Sequence, residues 1–199
     1  MLIFSSGNFR LDDNEIEVTG SRRMRRRGNV TRPEHDIEYE RRFLVEELPI
    51  RQMTASERIV QGYIWAENGY AVRARRTWVI EADTEHETTA ILTVKGPRSG
   101  HQRWEQEIAI PSHHAQAMID RSLGVIEKTR YGVVSEGNTW IVDVFHGLNN
   151  GLIIAEFEAS QHIVATIKAP WWCGPEITSD LRYNNENLAV NPWPKWAER

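Results

Sequence analysis

One cysteine, four lysines and no long apolar run are the most telling shortages of this chain. The lone Cys173 can neither close an internal disulfide nor supply a multi-thiolate zinc site. A disulfide-stapled secreted fold is thereby excluded, and a reducing cytoplasm is the expected setting. Apolar runs fall far short of the ~18–20 residues of a membrane span, so no transmembrane segment and no membrane partner are expected. The stretch from Met1 to Phe9 lacks the basic start and the apolar length of a signal peptide. There is no glycine-rich phosphate loop of the Walker or dinucleotide type and no serine nucleophile elbow. The histidines are scattered, and adjacent His113 and His114 cannot share a helix face as ligands.

What is present is a chain of 199 residues, 40% hydrophobic and 26% charged, the profile of one soluble globular domain with tails. The net charge of −4 is unevenly spread, with seven arginines against six acids in residues 1–36 and 17 basic against 22 acidic groups in residues 37–199. A mildly acidic body has no reason to coat duplex nucleic acid, so the folded domain is expected to bind none. Residues 1–36 read as a flexible arm around the run Arg22 to Arg27, residues 37–192 as the domain, and residues 193–199 as a tail. Twenty of the 24 basic residues are arginine, whose planar fork grips phosphate or carboxylate with two hydrogen bonds.

From Ile37 the chain becomes short period-two segments separated by turn residues, the pattern of antiparallel strands. Strands are expected at Ile37–Val45, Gln61–Trp65, Tyr70–Val79, Ala90–Lys95, Arg103–Ile110, Val125–Val134, Trp140–Phe145 and Leu152–Ala159. Thr54 to Arg58 reads as a short helical stretch, and Asn68-Gly69 as a type I′ hairpin turn. A helix is expected after Pro111, capped by Ser112, closed by Gly124, and apolar along Ala115, Met118, Ile119 and Leu123. The tail tryptophans Trp171, Trp172, Trp193 and Trp196 are expected to pack over the body. So many hairpins around one central helix predict a mainly β fold, a sheet large enough to close on itself with a few helices outside.

The polar faces of these strands are unusually selective. Glu38, Glu40 and Arg42 share a face of the first strand, Arg73 and Arg75 of the third, and Arg103, Glu105 and Glu107 of the fifth. Lys128 and Arg130 share a face of the sixth strand and Glu156 and Glu158 of the eighth, with Lys95 ending the fourth and Asp143 on the seventh. Side chains two apart project the same way about 6.6–6.8 Å apart along the strand, so each Glu-x-Glu pair can converge on one cation. Apolar residues fill the opposite positions, which places the charged faces in a shared interior if the apolar faces are covered by helices, tail or a second subunit. Buried charges of both signs are costly unless paired or occupied. A polyanion carrying Mg²⁺ or Mn²⁺ would occupy such an interior; a wall laced with internal salt bridges is the alternative.

Beyond patterning, Glu38-Tyr39-Glu40-Arg41-Arg42 resembles the Glu-x-Glu-x-Lys opening of the CYTH family, the triphosphate tunnel metalloenzymes. The resemblance continues in order through Gln61-Gly62-Tyr63, Arg73-Ala74-Arg75, Leu92-Thr93-Val94-Lys95-Gly96, Arg103-Trp104-Glu105-Gln106-Glu107 and Lys128-Thr129-Arg130-Tyr131. It ends with Trp140 to Phe145, Ala155-Glu156-Phe157-Glu158 and Ile177 to Asn184, covering about Ile37 to Pro192.

The resemblance implies a closed eight-stranded antiparallel tunnel that binds a triphosphate with Mg²⁺ or Mn²⁺ and hydrolyses it. It assigns metal to Glu38, Glu40, Glu156 and Glu158, with Glu105, Glu107 and Asp143 as supporting ligands or as partners that orient the bases. It assigns phosphates to Arg42, Arg73, Arg75, Lys95, Arg103, Lys128, Arg130 and Arg182, and the catalytic set to Glu38, Glu40, Arg42, Tyr63 and Lys128. Arg42 stands where the family has a lysine that in some members pairs with the tyrosine matched by Tyr63. Arginine keeps the charge and the fork but not a removable proton, which leaves an electrostatic role. Inorganic triphosphate is the leading substrate. The rivals are thiamine or nucleoside triphosphate hydrolysis, adenylate cyclisation with Trp65, Trp78, Trp171 or Trp172 stacking on a ring, and a module that binds polyphosphate or nucleotide without turnover. Apolar strand faces and the tryptophan-rich tail also suggest a homodimer.

Overall fold

The structure, a computed structural model, describes residues 37–81 and 84–197; the arm read at 1–36 lies outside them. Nine strands form one antiparallel sheet: β1 (Ile37–Val45), β2 (Met53–Glu67), β3 (Tyr70–Glu81), β4 (Thr84–Lys95), β5 (Gln102–Ala109), β6 (Val125–Ser135), β7 (Asn138–Phe145), β8 (Ile153–Glu158) and β9 (Cys173–Glu176). Their order is β5-β4-β3-β2-β6-β7-β8-β1-β9, and β5 returns to β1 through Glu38↔Arg103 and Tyr39↔Gln102. Eight strands therefore close into the expected barrel. The remaining length of that β1 edge is taken by β9, through Phe43↔Glu176 and Val45↔Cys173. Closure removes the sheet edge at β1 and β5, whereas residues 84–90 of β4 run past the end of β5. Helices α1 (Ser112–Ile119), α2 (Gln161–Thr166) and α3 (Asn185–Val190) complete the fold. Among the described residues no helix is long and apolar enough to cross a membrane.

Hairpin chemistry follows the sequence closely. Asn68 and Gly69 both take positive φ, 51° and 81°, as the type I′ turn between β2 and β3 requires. Glu136 and Gly137 do the same between β6 and β7, at 51° and 76°.

Other expectations are corrected. Thr54 to Arg58 is strand, because Ser56, Glu57 and Arg58 pair with Tyr131, Arg130 and Thr129 of β6; ladder pairing overrides the helix preference of Ala and Glu. In α1 the N-cap is Pro111 with no side-chain cap, and the helix ends at Ile119, well before Gly124. Gly124 instead lies against the backbone of Ala189, where a Cβ would come within 2.2 Å of the carbonyl oxygen. Leu123 and Trp171 are exposed rather than packed.

Alternation sorts the barrel wall into two surfaces. Outside, Phe43, Val133, Trp140, Val142, Ala155 and Phe157 form an apolar patch that Trp172 and Val164 of α2 cover. The Trp140 ring centroid lies 4.9 Å from that of Phe157 and 5.7 Å from that of Trp172. Inside, the character changes along the strands. Two residues beyond each charged position the inward side chain turns apolar, from Arg42 to Leu44, Asp143 to Phe145, Glu156 to Ile154 and Lys128 to Ile126. These pack with Tyr183, Leu188 and Ala189 of the C-terminal segment, and Trp193 and Trp196 lie against the same cluster. One end of the barrel is thus filled by an apolar core and the rest is left to charge.

Candidate active site

The charged section encloses a cavity of about 230 Å³. β1 contributes Glu38, Glu40 and Arg42; β3 Arg73 and Arg75; β4 Lys95; β5 Arg103, Glu105 and Glu107; β6 Lys128 and Arg130; and β8 Glu156 and Glu158. All thirteen belong to the set expected from sequence. Gln61 and Tyr63 of β2, Arg98 of the β4–β5 loop, and Asn184, Asn185 and Glu186 of the C-terminal segment complete the lining.

On one side of the cavity five bases share three acids. Arg73 Nη2 donates to Thr93 Oγ1 at 2.9 Å, to Glu107 Oε1 at 3.1 Å and to Glu105 Oε1 at 3.2 Å. Arg75 reaches Glu107 at 3.3 Å, and Lys95 bonds Glu105. Asp143 lies fully buried, outside the lining, and accepts from Lys128 and, at 2.8 Å on each oxygen, from Arg130. Burial would raise the Asp143 carboxyl, but the charges of Arg130 and Lys128 overcome it and hold the group well below the usual range. Glu105, similarly buried, is held at about 2 chiefly by Lys95, with Arg73 and a bond from Glu38. Glu105, Glu107 and Asp143 are thus each ion-paired with bases of this side.

Across the cavity, β1 and β8 bring acids face to face. Glu40 is in register with Glu158, and Arg42 with Glu156. Like charges directly opposite on neighbouring strands destabilise one another unless something intervenes. Glu40 is relieved by Arg98, 2.6 Å away, and by Arg42 at 3.5 Å; these charges outweigh burial and keep its carboxyl below the usual range. The others keep raised carboxyls, although Glu156 pairs with Arg130 at 3.1 Å and Glu38 with Lys95 at 3.9 Å. Burial, a bond with Glu105 and the nearby acids push Glu38 up to about 8 despite Lys95. Burial, with Asp143 and Glu40, raises Glu156; burial, with Glu40 and Glu156, raises Glu158. Four carboxylates on two adjacent strands, three resisting ionisation, form the hard-oxygen donor set that Mg²⁺ or Mn²⁺ takes, so these residues fit such an ion. Among the described residues no three His, Cys, Asp or Glu side chains are drawn together as a ready-made cage; Glu40 and Glu156 accept from Arg98 and Arg130.

The remaining expected residues have distinct surroundings. Arg42 is buried and donates to Asn184 Oδ1 at 2.8 Å, Tyr183 O at 3.2 Å and Thr178 O at 3.3 Å, tying β1 to the C-terminal segment. Tyr63 accepts from Gln61 Nε2 at 3.1 Å, and burial pushes its phenol up, so it keeps its proton and is no base for Arg42. Arg103 bonds the carbonyls of Gly96 and Gly69 and pairs with Glu186 at 3.0 Å. The structure places Arg182 outside the cavity lining. Its side chain is 61% exposed and pairs with Asp180 at 2.7 Å, because the turn at Leu181–Tyr183 directs it toward Trp196. Gln61 was findable, since it lies two residues from Tyr63 on the same strand face. Asn184, Asn185 and Glu186 carry no periodic signal and reach the cavity only through long-range packing.

No family model matches the chain. It is 37% identical over 163 residues to the inorganic triphosphatase of Acetivibrio thermocellus, covering 81% of this chain and 98% of that protein. It is 31% identical over 157 residues to the inorganic triphosphatase of Nitrosomonas europaea, covering 77% of this chain and 97% of that protein. The crystal structure of the inorganic triphosphatase NE1496 superposes with a TM-score of 0.55 at 28% identity, over 77% of this chain and 94% of that one.

Proposed function

The chain belongs to the triphosphate tunnel, or CYTH, family of its inorganic triphosphatase relatives, and from this membership we propose that it hydrolyses inorganic triphosphate to diphosphate and orthophosphate with a divalent metal. The observation that carries the reading is a set of buried donors. Arg42, Arg73, Arg75 and Arg98 line the same cavity, and each has a buried Nε–H without an acceptor. An unsatisfied buried donor costs about 1–3 kcal/mol, so four in one cavity favour an acceptor-rich guest. The oxygens of a phosphate chain meet that need in number and charge.

The lining also favours a bare chain over a nucleotide or thiamine ester. Among the described residues it comprises eight bases, seven acids, three amides and Tyr63, its one aromatic ring. The rings that could have stacked on a base are spent or lie elsewhere. Trp172 is fully buried in the outer core, Trp78 has Arg58 3.9 Å and Arg76 4.7 Å from its ring centroid, and neither Trp65 nor Trp171 reaches the cavity.

In this reading Glu38, Glu40, Glu156 and Glu158 would hold the metal, which supplies charge neutralisation and an acidified water. Arg73, Arg75, Lys95, Lys128 and Arg130 grip the phosphates from β3, β4 and β6. Because Glu105, Glu107 and Asp143 already fix these bases, they need little rearrangement as charge moves onto the departing diphosphate. Alignment between the two walls does the rest. A reducing cytoplasm remains the proposed setting, on the strength of the single cysteine.

The test is orthophosphate release from triphosphate, ATP and thiamine triphosphate with Mg²⁺, Mn²⁺ or EDTA, together with an assay for cyclic AMP. Metal-dependent release with preference for inorganic triphosphate is expected. Tight binding with no product from any substrate would make the chain a binding module.

A further inference from the structure

Outside the motif-bearing strands, one basic side chain enters the cavity from a loop. Arg98 lies between β4 and β5, where the backbone is pinned at both ends. Gly96 N bonds Trp104 O at 3.0 Å, Ser99 and Gln102 exchange bonds at 2.9 and 3.2 Å, and Arg103 Nε holds Gly96 O at 2.6 Å. A loop held this way presents its side chain in one place, which reduces the entropy lost on binding.

The Arg98 side chain is 10% exposed, and Nη2 is fixed on Glu40 Oε1 at 2.6 Å. Its Nε and Nη1 are both buried with no acceptor; Arg42, Arg73 and Arg75 leave only Nε so, and the Nε of Arg103 and Arg130 is bonded. A guanidinium with one edge anchored and two donors idle in a cavity lined by seven other bases is a half-filled fork. A second salt bridge is not what it lacks, since Glu40 already supplies one.

Resting on the triphosphatase reading, we propose that Arg98 is a further polyphosphate-binding residue, one that bridges the Glu40 carboxylate and a phosphoryl oxygen of the bound chain. It fixes the chain beside Glu40 of the acidic wall. It also borders a second groove, formed by the β2–β3 turn, Pro97 and the C-terminal segment, so it marks the boundary between the phosphate cavity and that groove.

Calorimetry of tripolyphosphate binding in EDTA tests this without turnover. Arg98→Ala is expected to weaken binding about tenfold or more, as loss of charge-assisted bonds does, and Arg98→Lys to recover part of it. The same loss should appear when Arg98→Ala is made in a Glu40→Gln background, because the contact with phosphate is direct. Binding within twofold of the unaltered protein, or a loss that vanishes in the Glu40→Gln background, overturns the proposal while the triphosphatase reading stands. If the unaltered protein takes up no tripolyphosphate in EDTA, this inference fails; if it also releases no orthophosphate with Mg²⁺ or Mn²⁺, the triphosphatase reading fails too.

Discussion

The two walls of the tunnel carry similar charged residues yet stand in opposite electrostatic states. On the wall of β3, β4, β5 and β6, Arg73, Arg75, Lys95, Lys128 and Arg130 are each bonded to Glu105, Glu107 or Asp143. On the wall of β1 and β8, Glu40 faces Glu158, and Glu38, Glu156 and Glu158 all resist ionisation. The first wall is assembled before any ligand arrives. The second leaves three of its four carboxyls raised above the usual range. Strand register produces the difference, since Glu40 of β1 meets Glu158 of β8, whereas Arg130 of β6 meets Asp143 of β7.

The largest expected effect comes from breaking the assembled wall. Asp143→Ala strands Lys128 and Arg130 in the interior, and removing one partner of a buried ion pair costs about 3–5 kcal/mol. Urea denaturation should show a loss of that order. A loss below about 1 kcal/mol would mean that the bases do not depend on Asp143. Next is the waiting wall. Glu40→Gln keeps the shape but removes the negative charge and replaces one oxygen with an NH2 donor, and orthophosphate release should fall about 100-fold or more, as when one charge-stabilising group is removed. Near-normal turnover in a folded variant would remove Glu40 from the metal set.

A pH series sharpens the contrast further. Glu38, raised to about 8, holds a proton in the folded chain that the unfolded chain releases near 4.5. The folded protein thus binds more protons between those values, and its stability falls as pH rises through that window. Glu105, held at about 2, acts oppositely, and only below pH 4.5: its contribution is lost as pH falls toward 2. Metal-free protein should therefore show a falling melting temperature from pH 5.5 to 8, by about 2–4 °C for each kcal/mol lost, and Mn²⁺ should flatten the slope. A flat profile without metal would show that the acidic wall carries no such strain.

Much of this was legible because β-strand periodicity is local. The bounds of β1 at Ile37–Val45, the Asn68-Gly69 turn and the inward placement of thirteen charged side chains all follow from alternation over a few residues. What was not legible depends on distant partners. Cys173–Glu176 contains Gly and Pro and lacks a strand pattern, yet it becomes β9 because β1 has an edge that β5 leaves open. Arg42 is tied by Thr178, Tyr183 and Asn184, at least 136 residues away, and no motif spacing reports that clasp. Whether an acid serves a metal or a neighbouring base is likewise decided by register, which the alternation of one strand cannot state.

Arg182 gives the smallest expected effect and the sharpest boundary to the comparison. It lies within the segment Ile177 to Asn184 that resembles the family's closing motif, and an arginine there reads naturally as a phosphate ligand. Its backbone N–H and its guanidinium instead return to Asp180, and its guanidinium carbon sits 4.7 Å from the ring centroid of Trp196. Neither wall of the tunnel includes it. Arg182→Ala should therefore leave kcat/KM within about twofold and lower stability by no more than about 1 kcal/mol, the scale of an exposed ion pair or cation–π contact. A tenfold rise in KM for triphosphate, with stability unchanged, would instead require the turn at Leu181–Tyr183 to carry Arg182 into the cavity once the phosphate chain is bound. The acidic wall would then have a second basic visitor besides Arg98.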